Sequence, residues 1–260
     1  MTNEKMKSII QAINYMKEHL DEEITSEALA KHVGYNPHHF SRVFKDVTGV
    51  SPRHYLSALR IEAGKQTLVN PTNSILKTLL GIGFRSIGTF SSKFKQFVGL
   101  SPRQFQKSID SLHQYVNAYD FTRELQPLEI IAPSITCQVI APKAFKGIIF
   151  IGLFPRPIPD QNPIIGHALT HQKTSCTFSN VPLGTYYVLA CALPRSLNPK
   201  SYVDLSSSLR GKADYPIHVK QDTTAYMDVI LRDPLPYDPP ILINLPKLLF
   251  DTEKRKQEEN

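Results

Sequence analysis

One short segment occurs twice in the first half of this chain. "FSRVFKDVTGVSPRHY" spans residues 40–55 and "FSSKFKQFVGLSPRQF" spans residues 90–105, and the two agree at eight of sixteen positions. Both copies keep phenylalanines at helical spacing, and both end in Gly-x-Ser-Pro-Arg-x followed by an aromatic residue. A repeat of this kind predicts two copies of one folding unit.

A short helix and a glycine turn are predicted before each copy. Asn36, Ser51 and Ser101 each precede a proline, and proline suits the first helical position after a capping side chain. The pattern predicts seven helices, near residues 4–20, 26–33, 37–48, 52–69, 74–82, 87–98 and 102–116. A short helix, a tight turn with glycine and a second helix make a helix-turn-helix unit. Residues 1–112 are therefore predicted to be an all-α domain with two such units.

The rest of the chain has a different composition. Sixteen of the twenty prolines lie beyond residue 126, between short runs rich in β-branched and aromatic residues such as "GIIFIGLF" and "GTYYVLACAL". Such runs predict strands packed inside a sandwich. The predicted fold class is α plus β in separate domains: a linker at 113–128 and an all-β sandwich at 129–250 follow the helical domain, and a charged tail occupies 251–260.

Positive charge is concentrated in the helical part. Residues 31–110 hold 12 Lys and Arg against 3 Asp and Glu, a net charge of +9, whereas the whole chain carries +7. A compact basic segment attracts polyanions, and double-stranded DNA is the expected partner.

Several other classes of protein are not indicated. The longest apolar run, "GIIFIGLF", is far short of the roughly 20 residues that span a bilayer, so we expect a cytoplasmic protein without a membrane partner. Cys137, Cys176 and Cys191 form no metal-binding pair, and His167 and His171 lack the motif of a metal site. Neither GxSxG nor a phosphate-binding glycine loop is present. We expect no enzyme activity, no metal and no cofactor.

The repeated motif resembles the AraC/XylS family of transcription regulators. The resemblance covers roughly residues 5–110, and its most specific part ends in "GLSPRQFQ". It implies that two recognition helices enter successive major-groove segments of promoter DNA. The joining segment "PRHYLSALRIEAGKQTLV" has 18 residues, so as a helix it spans about 27 Å, which suits two helices placed about one DNA turn apart.

The resemblance also implies site residues. Base reading is expected from His38, Ser41 and Arg42 in the first unit and from Ile87, Thr89 and Ser92 in the second. Arg42 is the strongest candidate because arginine contacts guanine O6 and N7 together, and its alternative role is a phosphate clamp. Phosphate binding is expected from Asn36, His39, Lys45, Arg53, Arg85, Ser86, Lys93, Lys95 and Arg103.

The second unit departs from the family pattern. Thr78 stands where the family usually has Ile, and Leu79 stands where it usually has Ala. We expect the larger Leu79 side chain to press against the recognition helix or tilt it. Because Gly88 and Ser92 also replace stronger base readers, we expect the first unit to dominate sequence choice.

The distal domain resembles transthyretin-like and carboxypeptidase-regulatory-like immunoglobulin sandwiches. The resemblance rests on the turn "FSNVPLG" and the strand "TYYVLACAL". Two roles remain open for this domain: dimerisation or another protein contact, and binding of a small-molecule effector.

The predicted function is a transcription regulator that activates by recruiting RNA polymerase. The alternative is a protein-interaction scaffold whose helical domain has lost DNA affinity.

Overall fold

The computed structural model describes residues 3–119 and 131–259 of the chain, which fold into two compact units. The helical unit holds the described residues through Ile109 together with Leu235–Ile243. The β unit holds the described residues from Asp110 to Pro234 and from Asn244 onward. The division falls within a helix near the predicted limit at residue 112. The return of Leu235–Ile243 to the helical unit is not foreseen by the sequence.

Seven helices precede the first strand, as the sequence predicts, and every predicted boundary lies within two residues of the observed one. The helices are α1 Asn3–Glu18, α2 Ser26–His32, α3 Pro37–Thr48, α4 Pro52–Leu68, α5 Ile75–Gly81, α6 Ile87–Val98 and α7 Pro102–Ala118. Local chemistry explains the agreement, because capping side chains precede α2 to α6. Gly49 and Gly99 end α3 and α6 with φ of 82° and 85°, a left-handed conformation that glycine adopts without strain.

The β unit contains two sheets. Its strands are β1 Ser134–Ile140, β2 Gly147–Phe154, β3 Ile165–Thr170, β4 Ser175–Phe178, β5 Gly184–Pro194, β6 Leu209–Lys212, β7 Ile217–Val219 and β8 Thr224–Ile230. One sheet has the order β4-β1-β8, with β1 antiparallel to β4 and parallel to β8. The other has the antiparallel order β3-β2-β5-β6, and β7 also pairs with β5.

Side chains from both sheets form one hydrophobic core. Cys137 and Val139 of β1 belong to it with Ile149 and Ile151 of β2 and Val188 of β5. All eight residues of β2 are buried, which agrees with the prediction of strands that are apolar on both faces. The region is thus rich in strands that pack around a shared interior. Its identity as an immunoglobulin-like sandwich stays a prediction.

Two predictions about the distal part need correction. The β unit is not all-β, because α8 Leu245–Glu259 follows the strands. This helix begins where the Asn244 side chain accepts a hydrogen bond from Lys247 N at 3.1 Å, and Leu245 and Leu249, one turn apart, are buried. The predicted charged tail at 251–260 therefore starts as the continuation of a helix.

The predicted linker at 113–128 also begins as helix. Residues up to Ala118 belong to α7, and Val116 is almost fully buried. The apolar spacing of Leu112 and Val116 continues the helical pattern one turn past residue 112, the predicted limit of the helical domain. Residues 120–128 lie outside the described part of the chain.

Candidate nucleic-acid interface

The first helix-turn-helix unit consists of α2, a glycine turn and α3. The side chains of Thr25 and Asn36 accept hydrogen bonds from the N–H groups of Ala28 and His38, at 3.1 and 3.0 Å, and so begin the two helices. Gly34 in the turn has φ of 72°, which an L side chain rarely adopts. Local sequence therefore specifies both helix starts and the left-handed residue in the turn.

Aromatic rings fill the interior of each unit. In the first, the Phe44 ring centroid lies 5.6 Å from that of Phe40 and 5.4 Å from that of Tyr55. The second unit repeats these contacts at 5.4 and 5.3 Å with the residues fifty positions later, Phe90, Phe94 and Phe105. All six side chains are at most 1% exposed. The sequence repeat is thus a repeat of packing.

The correspondence between the units shifts by one residue at the turn. Tyr35 N donates to Ala30 O at 2.8 Å, and Phe84 N donates to Leu79 O at 2.9 Å, so residues before the turn correspond at a separation of 49. After the turn the separation is 50, and Arg85 is the additional residue. Its guanidinium pairs with the exposed Glu23 carboxylate at 2.9 Å. The second unit therefore carries a charge at the start of α6 that the first unit lacks.

Helix α4 joins the two units and also holds the end of α1. Arg60 Nε donates to Leu20 O at 2.9 Å, and Arg60 Nη2 donates to Glu22 O at 2.6 Å. Burial lowers the pKa of Arg60, and the nearby Asp21 opposes this shift. Even so, arginine remains charged at neutral pH. Arg60 is thus a structural cation and is not part of the exposed basic face.

The predicted reading face of α3 lies on one exposed side of that helix. His38, Arg42 and Lys45 are exposed, and Ser41 between them is half-buried. Their spacing of three and four residues places them on one side. Within the described residues, no hydrogen bond or ion pair engages the Arg42 guanidinium, so its donors face solvent. His39 is also exposed, and its ring centroid lies 5.3 Å from that of Tyr35.

The first turns of the corresponding face of α6 carry no charged side chain. Ile87, Gly88, Thr89 and Ser92 are all exposed, and Ile87 exposes 53% of its surface. The hydroxyl of Thr89 accepts a hydrogen bond from Ser86 Oγ at 2.9 Å. A Cβ built on Gly88 meets nothing within 4 Å, so this glycine is not required by packing. The face that corresponds to His38 and Arg42 therefore offers a methyl-rich and hydroxyl-bearing surface.

Two lysines of α6 lie in different surroundings. Lys95 corresponds to Lys45 and is exposed in the same way. Lys93 corresponds to the buried Val43, and it is half-buried. Its Nζ donates to Gln96 Oε1 at 3.2 Å and lies 5.6 Å from the Phe97 ring centroid. Lys95 is consequently the more available cation.

The remaining predicted phosphate ligands fall into two groups. Asn36 and Ser86 are helix caps whose side-chain oxygens accept backbone N–H groups. Arg53 and Arg103 are exposed in the first turns of α4 and α7. Both arginines occupy the same position of the repeat, directly after the proline. The structure thus places one exposed arginine beside the turn that follows each recognition helix.

Two features escaped the sequence reasoning. Ser101 N donates to Gln104 Oε1 at 3.1 Å, while Gln104 N donates to Ser101 Oγ at 3.3 Å. This is a capping box, and the signal for it, Ser-x-x-Gln, was present in "SPRQ". On α5, Leu76 and Leu80 expose 52% and 56% of their surfaces, and their spacing of four residues was the available signal.

Among the residues that the structure describes, no group of three or more His, Cys, Asp or Glu could hold a metal ion. Cys137 and Cys176 are register partners in β1 and β4, and burial raises the pKa of each thiol to about 12. Both are therefore protonated at neutral pH. No described helix is long and apolar enough to cross a membrane.

Comparison with known proteins agrees with this geometry. A family described as "Helix-turn-helix domain" matches residues 29–108. An uncharacterized HTH-type transcriptional regulator, YobQ of Bacillus subtilis, is 32% identical over 109 residues, which cover 42% of this chain and 45% of that protein. The melibiose operon regulatory protein of Escherichia coli K12 is 32% identical over 99 residues, 38% of this chain and 33% of that protein. The chain spans less than half the length of these curated relatives.

Solved structures were also matched. A transcriptional regulator with an AraC-type DNA-binding domain from Chromobacterium violaceum is 26% identical, with a TM-score of 0.38, and the match covers 40% of this chain and 92% of that one. The DNA-binding domain of AdpA in complex with a target DNA is 24% identical, with a TM-score of 0.38, over 40% of this chain and 93% of that one. From the family match, residues 29–108 are a helix-turn-helix domain, and the curated relatives are named as transcriptional regulators.

Proposed function

We propose that this protein is a sequence-specific DNA-binding transcription regulator that acts in the bacterial cytoplasm. Helices α3 and α6 enter successive major-groove segments of promoter DNA, and α4 sets their separation. The observation that carries the proposal is the repeated helix-turn-helix packing, whose second helices each expose a polar face. The relatives that share this part of the chain are named as transcriptional regulators, which supports the same function.

The two units have unequal roles in this proposal. Arg42 reads a base pair, with His38 and Ser41 beside it, because a free guanidinium on an exposed helix face can contact guanine O6 and N7 together. In the second unit Ile87 contacts a thymine methyl group, and Thr89 and Ser92 supply hydroxyl donors. The first unit therefore dominates sequence choice.

The basic residues around these faces bind phosphates. Lys45, Lys95, Arg53 and Arg103 are exposed, and they give affinity and orientation without base preference. Arg85 and Lys93 also bind phosphates, after Arg85 breaks its ion pair with Glu23 and Lys93 breaks its hydrogen bond to Gln96. His39 contributes a ring nitrogen. Asn36 and Ser86 mark the starts of α3 and α6, where their side chains accept hydrogen bonds from the N–H groups of His38 and Thr89. The neighbouring N–H groups of each first turn are suited to an anion.

The β unit supplies protein contact or effector sensing. We propose that the protein activates transcription through RNA polymerase and that the β unit forms a homodimer or another protein contact, with binding of a small-molecule effector as the second role. An immunoglobulin-like or transthyretin-like sandwich suits both roles, because its strand edges and loops are free to bind.

A specific observation favours a second candidate function. The face of α6 lacks charge at Ile87, Gly88 and Ser92, and α5 exposes Leu76 and Leu80. A protein-interaction scaffold that has lost DNA affinity would show these features. In that case the basic surface of α3 would be only a solvated face.

Salt dependence separates the two functions. The full chain is used to select duplexes from a random pool, and the affinity of the best duplex is measured by fluorescence anisotropy at several salt concentrations. A DNA binder loses log affinity linearly with log salt, by about 0.9 for each phosphate contact. A scaffold selects no duplex and shows no such slope.

Two variants then test the division of roles. Arg42→Ala is expected to relax base preference at one position, whereas Lys95→Ala is expected to weaken all duplexes alike and to reduce the salt slope by about 0.9. Equal losses on selected and random duplexes for both variants would contradict the assigned roles.

A further inference from the structure

The helical unit contains a segment from the far end of the chain. Leu235–Ile243, with the sequence "LPYDPPILI", folds as part of this unit, and we name it the strap. Pro240, Ile241, Leu242 and Ile243 are buried. Three of the nine residues are prolines, which fix φ and have few unfolded conformations to lose. The strap is therefore a stiff segment that is ordered at low entropic cost.

The strap accepts hydrogen bonds from both ends of α4. In the first turn, Tyr55 Oη donates to Asp238 O at 2.8 Å. In the last turn, Lys65 Nζ donates to Ile241 O at 3.1 Å, and the Lys65 residue is only 2% exposed. The two donors are ten residues apart, about 15 Å along a helix, and the acceptors follow in the same chain order. The strap consequently runs along α4 in the direction of that helix.

Each anchor lies next to one recognition helix. The ring of Tyr55 packs edge-on against Phe44 of α3, with centroids 5.4 Å apart. Gly64 precedes Lys65, and a Cβ built on it would lie 3.3 Å from Phe90 of α6. Movement of either end of α4 would thus move a recognition helix. A hydrogen bond at each end restrains both movements together.

The repeat provides an internal comparison for the first anchor. Phe105 holds the position of Tyr55 in the second unit and packs against Phe94 in the same way, at 5.3 Å. Phenylalanine therefore satisfies the packing at this position. Compared with Phe105, Tyr55 has an additional hydroxyl group, and this group donates a hydrogen bond to Asp238 O of the strap.

We propose that the strap fixes the spacing between α3 and α6 by holding both ends of α4. Tyr55 and Lys65 are positioning residues: they act on DNA through the two recognition helices and do not touch it. The strap thereby determines the distance between the two major-groove segments to which the protein can bind at once. This inference rests on the proposed DNA binding.

The first measurement is hydrogen–deuterium exchange on the full chain, which does not depend on DNA. Tyr55→Phe is expected to speed exchange in the strap and in α4 about fivefold, the value of one ordinary hydrogen bond. Lys65→Met is expected to speed it about tenfold or more, because the Ile241 carbonyl then loses a charged donor. Lys17→Met removes the same charge from an exposed site on α1 and serves as the matched control. Unchanged exchange in α4 in both test variants overturns the proposal.

The second measurement is affinity for two duplexes, the selected site with both segments and the same site with the segment read by α6 scrambled. The double variant Tyr55→Phe/Lys65→Met is expected to bind the two-segment duplex about tenfold more weakly, because fewer molecules hold the competent spacing. Its affinity for the one-segment duplex should be unchanged. Inserting one base pair between the segments should then harm the double variant less than the wild type.

The outcomes separate this inference from the proposed function. A wild-type protein that binds no duplex refutes the proposed function, whatever the exchange data show. Equal losses on both duplexes, or an unchanged spacing preference, refute the role of the strap while leaving DNA binding intact. If the double variant fails to fold, Tyr55→Phe alone gives the same comparison, since phenylalanine is already accommodated at the equivalent position.

Discussion

The two helix-turn-helix units of this chain share the same aromatic packing inside and have different exposed faces. Inside, the three aromatic rings of one unit match those of the other to within about 0.2 Å in centroid separation. Outside, Arg42 of α3 corresponds to Ser92 of α6. The packing that orients a recognition helix is thus retained, while the side chains that would meet a ligand have diverged. Two units with the same aromatic packing can therefore differ in the ligand groups that their exposed helix faces would contact.

The first helices of the units differ in the same manner. Glu27 and Lys31 on the outer side of α2 are exposed, and their counterparts on α5 are Leu76 and Leu80, which are exposed as well. Hydrogen bonding lowers the pKa of Glu27, chiefly through its own backbone N–H and then through the Thr25 side chain. Glu27 is therefore an anion that favours the start of α2, whereas α5 lacks an acidic residue there.

The largest expected effect tests the shared interior. Phe44→Ala and Phe94→Ala should each lower the free energy of unfolding by about 3–5 kcal/mol, because each removes a fully buried ring between two others. The two losses should agree closely, as measured by urea denaturation of the full chain. If one variant loses less than about 1 kcal/mol, the two rings pack alike but do not contribute equally to the free energy of unfolding.

The next effect tests the divergent faces. Arg42→Ala should weaken binding to the selected duplex by about 1–3 kcal/mol, the value of one bidentate contact to a base. Ser92→Ala, at the corresponding position, should have a clearly smaller effect, since a lone hydroxyl donates only one hydrogen bond, worth about 1 kcal/mol. Competition binding with single-base variants of the site measures both. A larger loss for Ser92→Ala would reverse the proposed order of the units.

A smaller effect tests the helix starts. Asn36→Ala and Ser86→Ala each remove a side chain that caps a recognition helix, and each should lower the free energy of unfolding by about 1 kcal/mol. The corresponding glycine variants should lose only a few tenths. If alanine and glycine prove equally harmful, the capping oxygens are not the source of the stabilisation.

The smallest effect concerns α5. The double variant Leu76→Glu/Leu80→Lys gives this helix the charges of α2, and the free energy of unfolding should change by no more than about 0.5 kcal/mol, because both leucines are more than half exposed. Thermal denaturation at fixed pH measures the change. A strong destabilisation would mean that the leucines are covered in solution.

Sequence reasoning succeeded where the cause of the structure is local. Caps such as Asn36 and turn glycines such as Gly34 act within a few residues, so the helices of the first unit follow from the printed chain. The exposed face of α3 can be predicted as well, because it lies on the side of the helix opposite the buried Phe40 and Phe44. Local patterns of this kind also show which residues of α6 are exposed.

Other features depend on contacts between distant residues and could not be read in this way. The acceptor for Lys65 is a backbone carbonyl 176 positions away, and no side-chain pattern identifies such a partner. The expected effect of Leu79 on the tilt of α6 stays a prediction, although its side chain is fully buried.

The strap has a consequence for how this gene can be rearranged. Suppose that recombination moved only the codons up to Ile109 into another gene. The carbonyl groups that accept hydrogen bonds from Tyr55 and Lys65 would then be missing from the product. The helical unit is thus not encoded by one continuous stretch of the gene. A fusion that keeps both hydrogen bonds to the strap must carry the distal codons along.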